Sequence, residues 1–387
     1  MAIELSAAVS WTGRRSKPSA ELILFPYRKL SGGAFANMAQ HGSRFASLSP
    51  ELIEKILLET DRADRYSCLF LCKSITIIAA GRPLYQRLNL NAGLRAVDAI
   101  QVIAARPWVG RYIESIIYQT GWEGGTLDTA DLGSRIAVIS TVLVALLPQT
   151  PNLSYLWISV MPVFTISAFQ KALQSCHRLR TLVVQNAHRS LIGFNCLTWS
   201  ELGEMVGRLP AIRELKVYRI EAEDFQFPPT QLQDVSIYNS ELTPPQLMQL
   251  LAGTGPTLRK FTFTQPKVAD ITASQFIEAI SRHCKNLIFL QFDIPGGTLE
   301  LPSNLEDWPK EFPKLQELIV EGPFVSATSL LAMPSSMLTL ALSNYESDVG
   351  WIATLMMTNS DTLRNLYLLD KSTLTVTQKN LISVSAS

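Results

Sequence analysis

The sequence predicts an α/β fold, in which a small helical module is followed by a curved solenoid of parallel strands alternating with helices. Two observations predict this fold. The pattern L-x-x-L-x-L, with conservative replacements, recurs nine times between residues 153 and 368, at separations of 20 to 33 residues. Segments with apolar residues at helical spacing lie between these units. Because one strand and one helix cannot bury their apolar faces alone, stacked repeats are expected to share one continuous core.

The first predicted element is a helix near residue 50. Ser49 is a favourable N-cap residue, Pro50 suits the first helical position, and Glu51 suits the positive end of the helix. Apolar residues then recur on one face, at Leu52, Ile53, Ile56 and Leu57. Asp64 is a candidate cap for a second helix, and residues 73–80 predict a third. Three short helices in about 40 residues bury little surface, so we expect this module to dock on another protein.

Residues 48–90 resemble an F-box, the adaptor-binding module of cullin–RING ubiquitin ligases. The residues that carry the resemblance are Leu48, Pro50, Glu51, Leu52, Ile56, Leu57, Asp64, Leu69, Leu71, Cys72 and Lys73. The ending LYQRLNL at residues 84–90 resembles the one common in fungal F-box proteins, whereas Arg65 and Ile75 depart from the family pattern. The resemblance implies that the chain binds a Skp-type adaptor. It implies these contact residues: Leu48, Pro50, Glu51, Leu52, Ile56, Leu57, Leu69 and Cys72.

The composition is that of a folded protein with much apolar surface to bury. Apolar residues make up 47% of the 387 residues, charged residues 17%, and the formal net charge is +1. This balance gives no reason to expect binding to nucleic acid or to an anionic membrane. The most apolar run, residues 136–147, is shorter than the roughly 20 residues that span a bilayer. Five cysteines without paired spacing suggest reduced thiols, and therefore a cytoplasmic or nuclear protein.

We divide the chain into four parts. Residues 1–45 are basic and contain several glycines, so we expect a mostly disordered tail. The basic stretch at residues 14–17 is a candidate nuclear-localisation signal; a transit peptide and a solvated tail without an address are the alternatives. Residues 46–90 are the F-box-like module, residues 91–375 the solenoid, and residues 376–387 a C-terminal tail. The solenoid is expected to open with a helix at 92–105, a strand at 112–118 and a helix at 128–147.

The repeat units predict ten strands, if a degenerate unit at the start of the solenoid is included. The first residues of these units are Ile113, Leu153, Leu179, Ile212, Leu232, Leu258, Leu287, Leu315, Met337 and Leu363. Helices are predicted between them, at residues 166–176, 200–208, 244–251, 273–284 and 348–357. This arrangement resembles a leucine-rich-repeat protein of the irregular kind found in F-box proteins.

The residue between the last two motif positions is expected to point away from the shared core. This outward row is Trp157, Val183, Lys216, Ser236, Thr262, Gln291, Ile319, Ala341 and Tyr367. Its mixed aromatic, aliphatic and polar character suits a protein-binding surface, and the alternative is that these side chains only cover the sheet. The substrate-binding candidates are Trp157, Lys216, Gln291 and Tyr367. Two positions after the motif, a broken ladder of polar contacts between repeats is predicted at Asn186, Asn239, Gln265, Asn344 and Asp370.

The sequence contains no recognisable catalytic or metal-binding signature. None of the four histidines lies in a zinc or catalytic motif, and no phosphate-binding glycine loop occurs. Cys68 and Cys72 have no second pair, so we assign them to packing rather than to a metal. The acidic residues 221–224 are interpreted as a solvated loop, with a cation site as the alternative, and Trp308 and Trp351 as core residues. We therefore predict no metal, no cofactor and no enzymatic activity.

The order of these parts favours a substrate-recognition subunit of an SCF-type cullin–RING E3 ubiquitin ligase. The helical module would bind the adaptor, and the repeats would bind a target protein that the sequence does not identify. The chain would then supply proximity, while other subunits supply the chemistry. The alternative is a repeat scaffold that binds a partner without any ligase. An enzyme with a novel site in the solenoid is a third class, and no residue pattern supports it.

Overall fold

A computed structural model describes residues 48–59, 85–91, 103, 107–119, 129–159, 163–186, 197–220, 227–264, 271–294, 307–321, 325, 327–343 and 362–369. Several predictions fall outside these residues. They are the tail at 1–45, the second and third helices of the module, the helix at 348–357, the C-terminal tail at 376–387, and all but residue 103 of the helix at 92–105. The boundaries of the four parts of the chain stay predictions.

Eleven parallel strands form one sheet, and their order in the sheet is their order in the sequence. The strands are β1 (Arg87–Asn91), β2 (Ser115–Gln119), β3 (Tyr155–Ser159), β4 (Thr181–Gln185), β5 (Glu214–Tyr218), β6 (Asp234–Tyr238), β7 (Lys260–Thr264), β8 (Phe289–Asp293), β9 (Glu317–Glu321), β10 (Thr339–Ser343) and β11 (Asn365–Leu369). All ten predicted strands are confirmed. The eleventh, β1, lies in the segment that sequence reasoning placed at the end of the helical module. Tyr85, Leu88 and Leu90 form a repeat unit whose first position is a tyrosine rather than an aliphatic residue. Because of this tyrosine, the unit was not identified from the sequence.

Eight α-helices are described. They are α1 (Pro50–Glu59), α2 (Pro107–Gly110), α3 (Thr129–Leu146), α4 (Val163–Leu173), α5 (Trp199–Gly207), α6 (Pro244–Thr254), α7 (Ala273–His283) and α8 (Ala327–Leu331). The predicted helices within the described ranges are confirmed, with boundaries that move by at most three residues. Short 3-10 turns occur at Leu147–Gln149, Gly255–Thr257 and Trp308–Glu311. In the part of the chain described, no helix is long and apolar enough to cross a membrane.

The motif residues fill one continuous core. Leu153, Leu179 and Leu258 are fully buried, and they belong to the same apolar cluster from β1 to β11. Helix residues from α3 to α8 complete this cluster on one side of the sheet. Aromatic rings fill its later repeats, where Trp308 packs edge-on against Phe292 and Phe312 at ring-centre distances of 6.0 and 5.9 Å. The predicted core role of Trp308 is therefore confirmed, and Trp351 lies outside the described residues.

The edge of the sheet at which the strands begin, here called the leading edge, has a repeated hydrogen-bond pattern. The carbonyl oxygen of the residue before each strand accepts two backbone N–H groups from the next repeat. Gln86 O accepts from Glu114 and Ser115, both at 3.0 Å, and Leu338 O accepts from Arg364 at 2.9 Å and Asn365 at 3.1 Å. The same arrangement occurs at all ten strand junctions. Each repeat is thereby held to its neighbour at the same backbone position.

Side chains reinforce the leading edge at the position just before the first motif residue. Asn152 Nδ2 donates to Arg111 O at 2.7 Å, and Asn286 Nδ2 donates to Pro256 O at 3.0 Å. Thr257 and Ser336 make equivalent bonds through their hydroxyls, as Oγ1 to Thr230 O at 3.4 Å and Oγ to Pro313 O at 3.0 Å, and Thr257 Oγ1 also lies 2.7 Å from Leu232 O. This is the contact between repeats that the sequence placed at the opposite edge.

The predicted ladder at the other edge, here called the trailing edge, is wrong at Asn186 and stays a prediction at Asn239. Asn186 Nδ2 donates to Leu197 O at 3.0 Å, within its own repeat rather than across repeats. Asn239 has a left-handed backbone with φ of 50°, which asparagine tolerates better than most residues. Gln265, Asn344 and Asp370 lie outside the described residues.

Candidate protein-binding surfaces

Helix α1 begins where its sequence predicts. Ser49 is the cap: its carbonyl oxygen accepts the N–H of Ile53 at 3.0 Å, and its hydroxyl oxygen accepts the N–H of Leu52 at 3.4 Å. Hydrogen bonds from the backbone N–H of Glu51 and from the Ser49 side chain lower the pKa of the Glu51 carboxyl. A carboxylate at this end of a helix is favoured because the free N–H groups there carry partial positive charge. The predicted start of helix α1 is therefore confirmed at Pro50.

The apolar face of α1 is divided into a buried and an exposed half. Ile53 and Leu57 are 2% and 0% exposed. Leu52 and Ile56, one residue earlier in each case, are 51% and 39% exposed. Residues four apart lie next to each other on a helix, so Leu52 and Ile56 form one apolar strip on the surface. Large apolar side chains in such a strip are typical of a docking surface when they lie together rather than singly.

The predicted adaptor-binding residues do not all have the same environment. Pro50, Glu51, Leu52 and Ile56 are exposed, and Leu48 is partly buried. The side chain of Leu57 is fully buried and therefore does not face solvent. Leu69 and Cys72 lie outside the described residues.

The face of the sheet opposite the core is here called the open face. Side chains at the first, third and fifth positions of each strand lie on it, because successive residues of a strand point to opposite sides. The strand register aligns the third positions in one row from Asn89 to Tyr367, which contains every residue of the outward row. The alignment of that row is therefore confirmed. Within it, Val183, Ser236 and Thr262 are buried between longer neighbours.

The four substrate-binding candidates are aligned but not adjacent. Trp157, Lys216, Gln291 and Tyr367 are all partly buried and lie on β3, β5, β8 and β11. Neighbouring strands are about 4.8 Å apart, so Trp157 and Lys216 are separated by roughly 10 Å, and each later step by roughly 14 Å. The row can contact an extended surface of a partner, whereas a small ligand could touch only one of these residues.

A charged patch surrounds Lys216, and sequence reasoning missed most of it. Lys216 Nζ pairs with Glu214 Oε1 at 2.7 Å, and Thr181 Oγ1 donates to Glu214 Oε2 at 2.7 Å. Asp234 lies directly opposite Glu214 on the next strand. The signal was available: the first and fifth strand positions share the open face with the third, but only the third was considered.

Burial, hydrogen bonds and neighbouring charges all shift the pKa values of the three charged residues in this patch. Burial alone would raise the pKa of Glu214, but the hydrogen bonds from Lys216 and Thr181 and nearby positive charge outweigh it and lower the pKa. Asp234 lacks such a donor pair, and burial together with the negative charge of Glu214 raises its pKa. Burial would also lower the pKa of Lys216, but its bond to Glu214 reverses this and raises it. The patch is therefore a lysine bonded to one carboxylate, with a second carboxylate beside it.

Two stacked tyrosines lie beside the charged residues of the patch. Tyr218 and Tyr238 are the fifth residues of β5 and β6, and their rings stack at a centre distance of 4.6 Å and an interplanar angle of 12°. Both are partly exposed. Tyrosine supplies contact area with little loss of side-chain freedom, and it is enriched at the centres of protein interfaces. In the patch of Glu214, Lys216, Tyr218, Asp234 and Tyr238, the two tyrosines are therefore the residues of a type enriched at protein interfaces.

Reactive groups elsewhere in the described ranges are few. Cys176 and Cys284 are buried, and burial raises the pKa of their thiols to about 11 and about 12, so both are protonated at neutral pH. Among the residues described, no three histidine, cysteine, aspartate or glutamate side chains are grouped as metal ligands. The acidic residues 221–224, and Cys68 with Cys72, lie outside those ranges.

These features define the class of protein: a leucine-rich-repeat solenoid with an open parallel sheet. No protein-family model matches the chain, and no curated protein matches it significantly. Among solved structures, the chain is similar to the leucine-rich repeat-containing protein LegL7 from Legionella pneumophila, at 13% identity and a TM-score of 0.39, over 74% of this chain and 90% of that one. It is also similar to a structure of the Rad7 and Elc1 complex in yeast, at 12% identity and a TM-score of 0.41, over 90% of this chain and 90% of the matched chain. The class assignment rests on the strand register and the shared core.

Proposed function

We propose that this chain is the substrate-recognition subunit of an SCF-type cullin–RING E3 ubiquitin ligase. Helix α1 would bind a Skp-type adaptor, and the open face of the sheet would bind a target protein. The chain would contribute proximity between the target and the ubiquitin-charged enzyme, and proximity alone can accelerate a bimolecular step by orders of magnitude.

The observation that carries the adaptor role is the exposed strip of Leu52 and Ile56. Ile53 and Leu57 are buried on the neighbouring face of the helix, so Leu52 and Ile56 are the large apolar residues of α1 that face solvent. Burying an exposed leucine or isoleucine side chain contributes roughly 1.5–3 kcal/mol. Two such side chains, with Pro50 and Glu51 at the helix start, form the centre of a docking surface. Leu69 and Cys72 stay in the proposal as further adaptor contacts.

The target would bind along the outward row, with its centre on the patch around Lys216. Trp157, Lys216, Gln291 and Tyr367 stay the proposed contacts, and the stacked tyrosines join them. Interfaces draw most of their binding energy from a few residues near their centre, and tyrosine is among the types enriched there. The stacked pair of Tyr218 and Tyr238 supports this placement.

The test of the adaptor role is a pull-down of the full chain with a purified Skp-type adaptor. We expect the wild type to bind, and Leu52→Asp/Ile56→Asp to lose binding, because two carboxylates would be desolvated in an apolar contact. The matched control is Leu331→Asp, which changes a leucine that is 55% exposed on α8. If the wild type does not bind, or if the control loses binding equally, the adaptor role is excluded.

The alternative is a repeat scaffold that binds its partner without any ligase. The open face supports it independently, because the patch around Lys216 does not depend on α1. The alternative holds if the wild type fails to bind the adaptor but captures a defined partner that Tyr218→Ala/Tyr238→Ala releases. Mass spectrometry of complexes isolated at native expression, with proteasome activity blocked, distinguishes the two hypotheses. The adaptor is present in these complexes if the chain is a ligase subunit, and absent if it is a scaffold without a ligase.

A further inference from the structure

Positive charge in the repeats is concentrated at the leading edge. The five residues before each of the strands β2 to β10 contain seven cations and, in Glu114, one acid. The cations are Arg111, Arg178, Arg180, Arg213, Arg259, Lys285 and Lys314. The strands themselves show the opposite balance, with five acids and two lysines from β2 to β10. A chain with a net charge of +1 therefore carries a basic edge beside an acidic sheet.

Most of these cations are bonded to neutral oxygens, which do not cancel their charge. Arg178 Nη1 donates to Asn152 Oδ1 at 2.9 Å, and Lys314 Nζ donates to Asn286 Oδ1 at 2.8 Å. Arg213 donates to two backbone carbonyls. Of the seven, only Lys285 forms an ion pair with another described residue, Glu311, at 2.5 Å. The other six form no ion pair with another residue of the described ranges.

Some of these cations also converge on a cavity. Arg259 and Lys314 line a space of about 440 Å³ between the turns that precede β6 to β9. Gln233, Thr257 and Asn286 line it as well. The cavity combines two positive groups with amide and hydroxyl groups, which together match a carboxylate rather than an apolar side chain.

The negative ends of the helices do not account for the basic edge. Each helix terminates shortly before the leading edge, and a cation in its last turn would be stabilised there. That effect fades beyond the last turn, and Arg180 and Arg213 come well after the ends of α4 at Leu173 and α5 at Gly207. The position of Arg180 and Arg213 is therefore not explained by the helix ends. Arg180 is exposed and Arg213 is partly exposed, so their charges are accessible to a partner.

We propose that the leading edge from β4 to β9 is a second interaction surface, which binds an acidic segment of a partner protein. Five strand spacings cover roughly 24 Å, which corresponds to about seven residues of an extended peptide. Aspartate and glutamate side chains of this segment pair with Arg178, Arg180, Arg213 and Arg259, and one carboxylate reaches the cavity beside Lys314. This surface is separate from the exposed strip of α1 and from the open face, so it does not depend on the adaptor role.

The surface favours a peptide over a nucleic acid. Proteins that bind single strands combine positive charge with exposed aromatic rings on which bases stack. Between β4 and β9, the five residues before each strand contain one phenylalanine, Phe312, which is fully buried, and one histidine, His177, which is exposed; tyrosine and tryptophan do not occur there. One exposed ring does not form a row on which successive bases could stack, so the edge offers ion pairs rather than a stacking platform.

The test measures binding of two labelled eight-residue peptides to the full chain by fluorescence anisotropy. One peptide alternates glutamate and serine, and the other alternates lysine and serine. We expect the acidic peptide to bind at least about tenfold more tightly, with an affinity that falls as salt is raised, because exposed charges are screened. Arg180→Glu/Arg259→Glu should weaken it by at least about tenfold, and Arg180→Gln/Arg259→Gln by a smaller factor.

The matched control is Lys55→Glu/Arg87→Glu, which changes the net charge equally but on exposed residues of α1 and β1, outside the edge from β4 to β9. It should leave the affinity for the acidic peptide within about twofold. Thermal unfolding of each variant shows that it is folded. Equal losses in both variants, equal binding of the two peptides, or tighter binding of a ten-residue oligothymidine would overturn the proposal. Salt-sensitive self-association that is lost in Arg180→Glu/Arg259→Glu would overturn it too, since the edge would then join two copies.

Discussion

The leading and trailing edges of the sheet are built on different principles. At the leading edge, one carbonyl per repeat accepts two N–H groups, and this is repeated at ten junctions without exception. At the trailing edge, the connections differ from repeat to repeat: residues 160–162 link β3 to α4, whereas residues 186–198 link β4 to α5. Positive φ occurs there at Arg219 and Asn239, the residues that directly follow β5 and β6.

This comparison shows that the backbone contacts between repeats are constant at the leading edge, whereas the connections at the trailing edge vary. The leading edge sets the spacing of the repeats, because every turn meets its neighbour through the same atoms. The trailing edge absorbs insertions, which cost little when a loop lengthens at the surface. Changes at the leading edge should therefore disturb neighbouring repeats, and changes at the trailing edge should depend on the individual site.

The largest expected effect is at the leading edge, in Gly110→Ala. A Cβ atom at Gly110 would lie 2.1 Å from the backbone carbonyl oxygen of Gln149 in the next repeat. Because backbone atoms of two repeats would have to separate, we expect the free energy of unfolding to fall by about 3 kcal/mol. Urea unfolding of the two proteins measures this difference.

The control for this prediction is Gly207→Ala in α5. A Cβ atom there would meet the ring Cγ of Pro228 at 2.7 Å, and a change of ring pucker relieves such a contact with less movement than the separation of two backbones. Alanine is also the better helix former, so the loss should be below about 1 kcal/mol. Equal losses at Gly110 and Gly207 would contradict the idea that the leading edge is fixed by close backbone contact.

The second prediction compares one asparagine from each edge. Asn186 at the trailing edge is 1% exposed and bonds Leu197 O, so Asn186→Ala leaves a buried acceptor unpaired. We expect a loss of about 2 kcal/mol. Asn286 at the leading edge bonds Pro256 O from a partly exposed position, where water can replace the amide. Asn286→Ala should cost no more than about 1 kcal/mol. Thermal unfolding of both variants checks the order, and a larger loss for Asn286→Ala would contradict it.

The third prediction concerns the left-handed backbone at Arg219, where φ is 61°. A β-branched residue adopts this conformation with difficulty, so Arg219→Val should lower the free energy of unfolding by about 1 kcal/mol. Arg219→Gly should not lower it, since glycine has no Cβ to clash. The same change to valine at Lys260, in an extended strand, is the control and should cause no loss. If Arg219→Val and Lys260→Val unfold alike, the bend at Arg219 carries no strain.

Much of this architecture could be predicted because the core residues repeat. Motif leucines at regular spacing gave ten strands in their correct places, and Ser49 with Pro50 gave the start of α1. Strand β1 was missed because Tyr85 occupies the motif's first position and because the same residues resembled the end of another module. Hydrophobic periodicity identifies elements, but it does not say to which unit an ambiguous segment belongs.

The polar features were harder to predict because they depend on pairs of strands rather than on one. Glu214 and Asp234 are twenty residues apart in the sequence, and only the register places them side by side. The ladder between repeats was assigned to Asn186 and Asn239 because asparagine was expected at the trailing edge, while the actual contacts use asparagine, threonine or serine at the leading edge. No single residue type marks that position, so its pattern becomes visible only when the repeats are stacked.

The smallest expected effect is in Asp234→Asn on the open face. Burial, and then the negative charge of Glu214, raise the pKa of Asp234, although Lys216 and Lys260 act in the opposite direction. A carboxyl with a raised pKa contributes most to stability at low pH, and this contribution is lost as the pH rises through that pKa. Asparagine has no carboxyl that becomes charged, so this loss of stability does not occur in the variant. Asp234→Asn should therefore raise the free energy of unfolding at pH 7 by a few tenths of a kcal/mol.

The pH dependence distinguishes this explanation from a general effect of the substitution. The difference between Asp234→Asn and the wild type should shrink as the pH is lowered, because the wild-type carboxyl becomes protonated as well. Glu214→Gln is the opposite case, because the pKa of Glu214 is lowered in the folded protein. The Glu214 carboxylate therefore contributes to the free energy of unfolding above the ordinary carboxyl pKa, and this contribution is lost in acid. That variant should be less stable than the wild type at pH 7 and approach it at low pH. Denaturation curves at several pH values measure both trends, and parallel behaviour of the two variants would mean that the pair on β5 and β6 is not electrostatically coupled.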